Sequence, residues 1–277
     1  MKKHIFIVLK ILGFFILWAV IMIPIGSIEI FKGNQALQRF YWELIPLLSV
    51  IIITILFNIV VEKNKFQNII LNKTLKNGAL GILFGIGWIG IPILILTIIG
   101  MLQWGEINYI SYLFIWIISA LFNVIMQEHL VRGYIFNLLK KEYNVIVTII
   151  ITTIIFTLFH GGAFEAGIIA VLNVLTMSVF VSLLLIYTTN LLAPIIVHAI
   201  WNIIGFLFGF VALADDYPVL INCTINGNNI ISGGIYKLEG SIIVLLINII
   251  LIVFLLFLIK KTKIFTIKTS PTAHNKR

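Results

Sequence analysis

The stretch SIIVLLINIILIVFLLFLI at residues 241–259 carries no charged side chain, and its one carboxamide is Asn248. A helix rises about 1.5 Å per residue, so a run of this length nearly spans a hydrocarbon core of about 30 Å. Backbone polar groups find no water in that core, so an apolar run that crosses it must form a helix. The stretch therefore predicts a transmembrane helix.

Similar apolar runs continue outward from this one along almost the whole chain. Of the 277 residues, 61% are hydrophobic and 10% are charged, whereas soluble domains are about half apolar and a quarter charged. A soluble globular protein is excluded, and we predict an all-α polytopic membrane protein with about eight transmembrane helices. The other seven spans are placed near residues 5–25, 44–61, 79–102, 112–137, 145–164, 166–187 and 191–212.

The net charge of +9 is unevenly distributed between the two sides of the membrane. With the N-terminus inside, fourteen of the nineteen Lys and Arg residues fall on inner segments and three on outer ones. This positive-inside bias predicts that both termini are cytoplasmic. Because the basic residues flank apolar runs, we expect the lipid bilayer as a partner and no nucleic acid. Abundant Ile, Asn, Lys and Phe indicate a bacterial cytoplasmic membrane as the location.

Polar residues inside the predicted spans are the candidates for function, because burying an ionisable group in lipid costs a few kcal/mol. Glu128 and Arg132 are four residues apart, so they share one helix face, where the guanidinium neutralises the carboxylate. His198 and Asn202 repeat that spacing. The candidates are Gln127, Glu128 and Arg132 in the fourth predicted span, His160 at the end of the fifth, and His198 and Asn202 in the seventh.

Three helices carrying these residues are expected to build one intramembrane cavity, and three kinds of chemistry are open to it. Glu128 beside an imidazole can activate water while a second imidazole and a carboxamide stabilise an oxyanion. Glu128, His160 and His198 can alternatively hold a divalent metal such as zinc, although the single cysteine, Cys223, excludes a cysteine-based zinc site. Buried Glu, His and Arg can also form the proton relay of a transporter, which no detectable internal repeat supports.

The motifs resemble the type II CAAX prenyl endopeptidase and bacteriocin-processing family, also called CPBP or Abi, whose members are intramembrane proteases. The family pattern is Glu-Glu-x-x-x-Arg, then Phe-x-x-x-His, then His-x-x-x-Asn or Asp. The likeness covers about residues 110–210, and Gly133 and Ala193-Pro194 add to it. The matching residues are Gln127-Glu128-x-x-x-Arg132, Phe156-x-x-x-His160 and His198-x-x-x-Asn202.

The chain departs from the family pattern at Gln127, where the family's water-activating glutamate is expected. The resemblance implies that His160 shares the water, that His198 and Asn202 support the oxyanion, and that Arg132 is structural. Since glutamine is not a general base, either Glu128 takes the role, after a helix rotation of about 100°, or catalysis is weak or absent. Rescue by Glu165, expected at the outer interface, is a minor alternative.

The resemblance predicts an intramembrane endopeptidase that cuts a peptide or membrane-anchored substrate, in bacteriocin processing or self-immunity. The alternative is a catalytically impaired relative that acts as an immunity or scaffold protein. We divide the chain into N-terminal helices at 1–110, a catalytic core at 111–212, and an outer loop, last helix and basic tail at 213–277. The loop at 213–240 is polar and contains glycine, which predicts a surface loop.

Overall fold

The computed structural model describes residues 2–63, 74–211 and 216–262, so the basic tail predicted beyond residue 262 lies outside the described residues. Within those ranges the chain is almost entirely helical, and the predicted all-α class is confirmed. The α-helices are α1 (Lys2–Gly26), α2 (Gln35–Leu56), α3 (Thr74–Ile98), α4 (Leu113–Glu128), α5 (Phe136–Glu142), α6 (Val145–Phe159), α7 (Gly162–Ala166), α8 (Ile168–Thr188), α9 (Leu192–Leu207), α10 (Asn229–Ser232) and α11 (Ile242–Lys261).

Six helical segments among the described residues are long and apolar enough to cross a membrane, which confirms a polytopic membrane protein. These six include α1, α3, α8 and α11, together with α2 and α4 in their continuous helical extensions. Two further apolar helices, α6 and α9, are shorter, with 15 and 16 residues. Helix α6 leads into His160 of the second motif and α9 carries the third motif, so two of the three motifs lie at the two shortest of these eight apolar helical segments.

A π-helical segment, His129–Ile135, joins α4 to α5 in one continuous helix that ends at Glu142. A second π-helical segment, Phe57–Val61, extends α2. Such segments are rare and are frequent at functional sites, because the wider turn shifts side chains around the helix axis. The segment at 129–135 begins directly after Glu128 and contains Arg132, so it sets how the first motif meets its neighbours.

Helix α9 packs very closely against α3 because α3 presents glycines at the contact. A methyl group added at Gly81 would lie 2.8 Å from Ile196 Cβ and 3.1 Å from the Ala193 backbone. One added at Gly85 would lie 2.8 Å from Ile200 Cδ1. Small residues four apart allow transmembrane helices to approach at backbone distance. This contact fixes the helix that carries His198 and Asn202.

The loop between α9 and α11 folds back onto the helices. It contributes β2 (Thr224–Ile225), which pairs antiparallel with β1 (Leu102–Gln103), and two short 3₁₀ helices, Gly234–Tyr236 and Leu238–Gly240. Leu238 is fully buried, and its amide donates to the Phe210 carbonyl at 3.1 Å. The predicted surface loop therefore has a part that is anchored in the bundle.

Candidate active site

Two adjoining cavities lie among the motif helices. The large cavity has a volume of about 290 Å³, and the small cavity about 60 Å³. Gln127 lines the large cavity, together with polar residues of α2 and α4. His198 lines the small cavity, whose walls include the stacked indoles of Trp88 and Trp201, 4.1 Å apart. The predicted intramembrane cavity is therefore present, in two parts.

The two cavities share three lining residues: His160, Asn202 and Glu239. We call this group the neck. His160 follows the last residue of α6, Asn202 lies on α9, and Glu239 lies in the 3₁₀ helix Leu238–Gly240. The residues that line both cavities thus include one with an imidazole, one with a carboxamide and one with a carboxylate.

The hydrogen bonds of His160 define which ring nitrogen is available for chemistry. Its Nδ1 lies 2.8 Å from the Phe156 carbonyl oxygen, and since a carbonyl only accepts, Nδ1 carries the proton and donates. In the neutral ring Nε2 then holds a lone pair. The imidazole also lies against the Phe156 ring, with centroids 4.2 Å apart. Phe156 therefore fixes both the tautomer and the orientation of His160.

Glu128 lies outside the linings of both cavities, in a fully buried ionic cluster. Arg132 Nη1 lies 2.8 Å and 2.9 Å from the two Glu128 oxygens. His198 Nδ1 lies 2.9 Å from Glu128 Oε1 and donates to it. The structure thus joins Glu128 to His198 and Arg132, and it does not bring Glu128 to the neck with His160 and Asn202.

Arg132 connects the first motif to α8. Its Nη2 donates to the carbonyl and the hydroxyl of Ser178, at 3.1 Å and 2.9 Å. Its Nε donates to the Ser182 hydroxyl at 3.2 Å. The guanidinium also lies over the Phe156 ring, 4.6 Å from its centroid. These contacts are those of a residue that holds helices together, as the resemblance implies for Arg132.

A relay of hydrogen bonds determines how Gln127 faces the large cavity. The Glu43 carboxylate can only accept, so Asn123 Nδ2 donates to Glu43 Oε2 at 2.8 Å. Asn123 Oδ1 then accepts from Gln127 Nε2 at 2.7 Å. The remaining oxygen, Gln127 Oε1, is buried without a hydrogen-bond partner among the described residues. Gln127 therefore offers a carbonyl acceptor to whatever occupies the cavity.

The relay ends at Arg39, near the start of α2. Arg39 Nη2 lies 2.6 Å from Glu43 Oε1, and Arg39 also pairs with Asp216 beyond α9. Its Nε donates to the Tyr217 hydroxyl at 3.2 Å. Burial, reinforced by the Glu43 charge, raises the pKa of Tyr217 above its ordinary value, so the phenol stays protonated. Arg39 thereby links α2 to the chain segment that follows α9.

Sequence reasoning missed Arg39, Glu43 and Glu239. The first two carry a signal, since they are four residues apart at the start of an apolar run and so lie on one helix face. Glu239 carries none, because it lies in a polar loop whose path back to the bundle is not encoded in a local pattern. Glu165, by contrast, is exposed and lies outside both cavity linings, which gives no support to a catalytic role for it.

The geometry does not fit the metal site considered from the sequence. No group of three His, Cys, Asp or Glu side chains in residues 2–63, 74–211 and 216–262 is arranged to hold a metal ion. Both Glu128 oxygens accept from Arg132, and one also accepts from His198. A cation at Glu128 would have to displace a guanidinium that lies in hydrogen-bond contact. The arrangement of Glu128, His160 and His198 is therefore not that of a metal-ligand set.

A comparison with protein families matches residues 109–204 to the family described as Type II CAAX prenyl endopeptidase Rce1-like. No curated protein and no solved structure gives a significant match. The matched segment contains all three motifs and two of the three neck residues, His160 and Asn202, while Glu239 lies beyond its end. Residues 109–204 are therefore similar to the type II CAAX prenyl endopeptidase Rce1-like family, a family of proteases, which agrees with the resemblance of the three motifs.

Proposed function

We propose that the protein is an intramembrane endopeptidase that hydrolyses a peptide bond in a peptide or membrane-anchored substrate. The observation that carries this proposal is the neck, where His160 and Asn202 from two different motifs line both cavities. The family of residues 109–204 agrees with protease chemistry. Bacteriocin processing or self-immunity is the biological setting that we favour for it.

In this proposal the neck residues divide the work of aligning water and substrate. His160 Nε2 accepts a hydrogen bond from the attacking water, because Nδ1 is committed to the Phe156 carbonyl. Gln127 Oε1 is placed to accept a hydrogen bond from a substrate N–H, since its Nε2 is held by Asn123. The Asn202 carboxamide donates to the carbonyl oxygen of the substrate as negative charge develops there. The water proton needs an acceptor other than residue 127.

His198 lines the small cavity, and Glu128 contacts His198 without lining that cavity itself. In the neutral ring the hydrogen bond to Glu128 places the His198 proton on Nδ1 and leaves a lone pair on Nε2. Arg132 balances the charge of the Glu128 carboxylate by donating to both of its oxygens. A carboxylate that orients an imidazole is a recurring arrangement in hydrolases. The contacts thus favour Glu128 as the residue that positions His198, rather than as the base that acts on water.

The test measures cleavage across all membrane proteins, so that the substrate need not be identified first. Membranes from cells expressing the native chain, or the His160→Ala or Asn202→Ala variant, are labelled at free N-termini and compared by mass spectrometry. We expect new N-termini with the native chain and their loss with His160→Ala. Asn202→Ala is expected to reduce them by about 10²–10³-fold, the usual effect of removing one oxyanion donor.

The control is His4→Ala, because His4 contacts Tyr143 at the end of the helix bundle, away from both cavities. It is expected to leave the pattern of new N-termini unchanged. New N-termini that persist in His160→Ala would show that another protease makes them and would refute the proposal. Peptides that span the cleavage sites so identified can then be tested with purified protein, with and without a chelator.

The second candidate is a non-catalytic relative that binds a partner within the bilayer as an immunity or scaffold protein. Gln127 is the observation that favours it, because the family's first motif glutamate is absent. The two candidates differ in one result. If only the Gln127→Glu variant generates new N-termini and the native chain generates none, the chain retains a protease fold for binding.

A further inference from the structure

One acidic residue lines both cavities together with His160 and Asn202, and it lies outside the segment that matches the family. Among the acidic residues of the described ranges, only Glu239 lines both cavities. The other eight acidic residues of these ranges line at most one of the two cavities. Three of them, Glu29, Glu106 and Glu165, are exposed.

The backbone at Glu239 is anchored on two sides, so this residue has a defined position at the cavities. Asn173 Nδ2 on α8 donates to the Glu239 carbonyl at 2.9 Å, and the preceding residue, Leu238, is fully buried. The turn also packs tightly, because a methyl group at Gly233 would collide with the Lys237 carbonyl. Precise placement of a reacting group is what general acid–base catalysis requires.

From this juxtaposition we propose that Glu239 is a catalytic residue that accepts the proton of the attacking water. The inference rests on the endopeptidase function proposed for the chain. As the water oxygen bonds to the substrate carbonyl carbon, one water proton passes to the Glu239 carboxylate and the carbonyl oxygen becomes an oxyanion. When the carbon–nitrogen bond breaks, the same proton passes to the leaving amine, which regenerates the carboxylate.

The neutral side chain at position 127 is consistent with this arrangement. A second carboxylate facing the same cavity would repel Glu239 and hinder the ionisation of one of the two. Gln127 keeps the shape and one oxygen acceptor of a glutamate while carrying no charge, and Asn123 fixes its orientation. The general base is in this way relocated from α4 to the turn before α11.

The test is the Glu239→Gln substitution, measured by the same N-terminal labelling and then by the kinetics of purified protein on the peptides so identified. We expect kcat to fall by about 10²–10⁴-fold, the usual contribution of a general base, with KM little changed. The matched control is Glu165→Gln, since Glu165 is an exposed glutamate whose carbonyl accepts from Tyr236, three residues before Glu239. That control is expected to keep native activity.

A rescue experiment separates a catalytic carboxylate from a structural one. Adding Gln127→Glu to the Glu239→Gln variant supplies a carboxylate to the large cavity and is expected to restore part of the lost kcat. A loss caused only by misfolding would not be restored. Thermal unfolding of Glu239→Gln in detergent is expected to match that of the native chain.

The outcomes distinguish this inference from the proposed function. If the native chain produces new N-termini that depend on His160 but not on Glu239, the endopeptidase function stands and the role of Glu239 is refuted. If the native chain produces none, the function itself fails, and the Glu239 role fails with it. Loss of cleavage in Glu239→Gln without any rescue by Gln127→Glu, and with a lowered unfolding temperature, also overturns the inference.

Discussion

Every nitrogen of the Arg132 guanidinium donates a hydrogen bond inside the protein, and the side chain has no exposed surface. The charge of Glu128 is therefore balanced locally rather than by water. Breaking a buried ion pair from one side leaves the other charge unpaired, which costs far more than losing an exposed pair. Stability at this point depends on both partners being present together.

We expect Arg132→Gln to destabilise the protein by about 3–5 kcal/mol, because it leaves the Glu128 carboxylate buried beside a neutral side chain. Denaturation of the purified protein in mixed micelles measures the change. Lys3→Gln is the control, since the Lys3–Glu142 pair is largely exposed, and it is expected to change little. Adding Glu128→Gln should recover part of the loss, and no recovery would contradict the ionic explanation.

For individual residues, spacing along the sequence predicts the contacts made within one helix and misses the contacts between helices. The four-residue offset predicts the Glu128–Arg132 pair, which the structure contains. It gives no indication that Asn123 bonds Glu43, 80 residues away in sequence. Nor does it indicate that Glu239 joins His160 at the neck. Both depend on which helix and loop faces meet, a property of the whole packing.

At the contact between α3 and α9 the backbones of the two helices approach very closely. Alanine normally stabilises a helix by about 1 kcal/mol relative to glycine. At Gly81 the added methyl group meets the backbone of Ala193, which has little freedom to move. The helix stabilisation that alanine normally provides is therefore smaller than the free-energy cost of displacing α9.

We expect Gly81→Ala to lower the unfolding temperature and to reduce cleavage, because α9 carries His198 and Asn202. Gly87→Ala is the matched control on the same helix, since a methyl group there meets no atom within 4 Å. That variant is expected to keep or slightly raise the unfolding temperature. Equal effects of the two substitutions would show that the close approach at Gly81 does not matter.

Hydropathy predicts the helices well and their irregular ends poorly. The span placed at residues 145–164 is helical only to Phe159 in α6, because Gly161 and Gly162 follow and glycine disfavours helix interiors. That early end leaves His160 at the neck. The π-helical segment at 129–135 is not predicted either, since no local pattern in its sequence separates it from an ordinary helix turn.

For the whole molecule, the distribution of Lys and Arg predicts a single orientation with both termini cytoplasmic. We expect a membrane-impermeant thiol reagent, added outside intact cells, to label Ser27→Cys and to leave Thr262→Cys unlabelled until the membrane is opened. Both positions are exposed in the structure. The reverse pattern would refute the predicted orientation.

Both cysteine variants are made in a chain that also carries Cys223→Ser, so that the one native thiol is absent. Cys223 is buried, and burial raises the pKa of its thiol above the ordinary value, so the reactive thiolate is scarce at neutral pH. The parent chain is accordingly expected to label slowly even where the reagent reaches the outer loop. Rapid labelling of the native protein would indicate that this loop opens.

The shortness of α6 has a consequence for the surrounding lipid. A helix of 15 residues is about 22 Å long, several ångströms less than the hydrocarbon core of an ordinary bilayer. Hydrophobic mismatch of this kind is relieved by thinning of the adjacent leaflets. Acyl chains beside α6, which exposes Ile146, Ile150 and Ile154, are thus drawn toward the midplane, so headgroups and water come nearer to His160. The thickness of the host membrane becomes in this way a variable of the protein's chemistry.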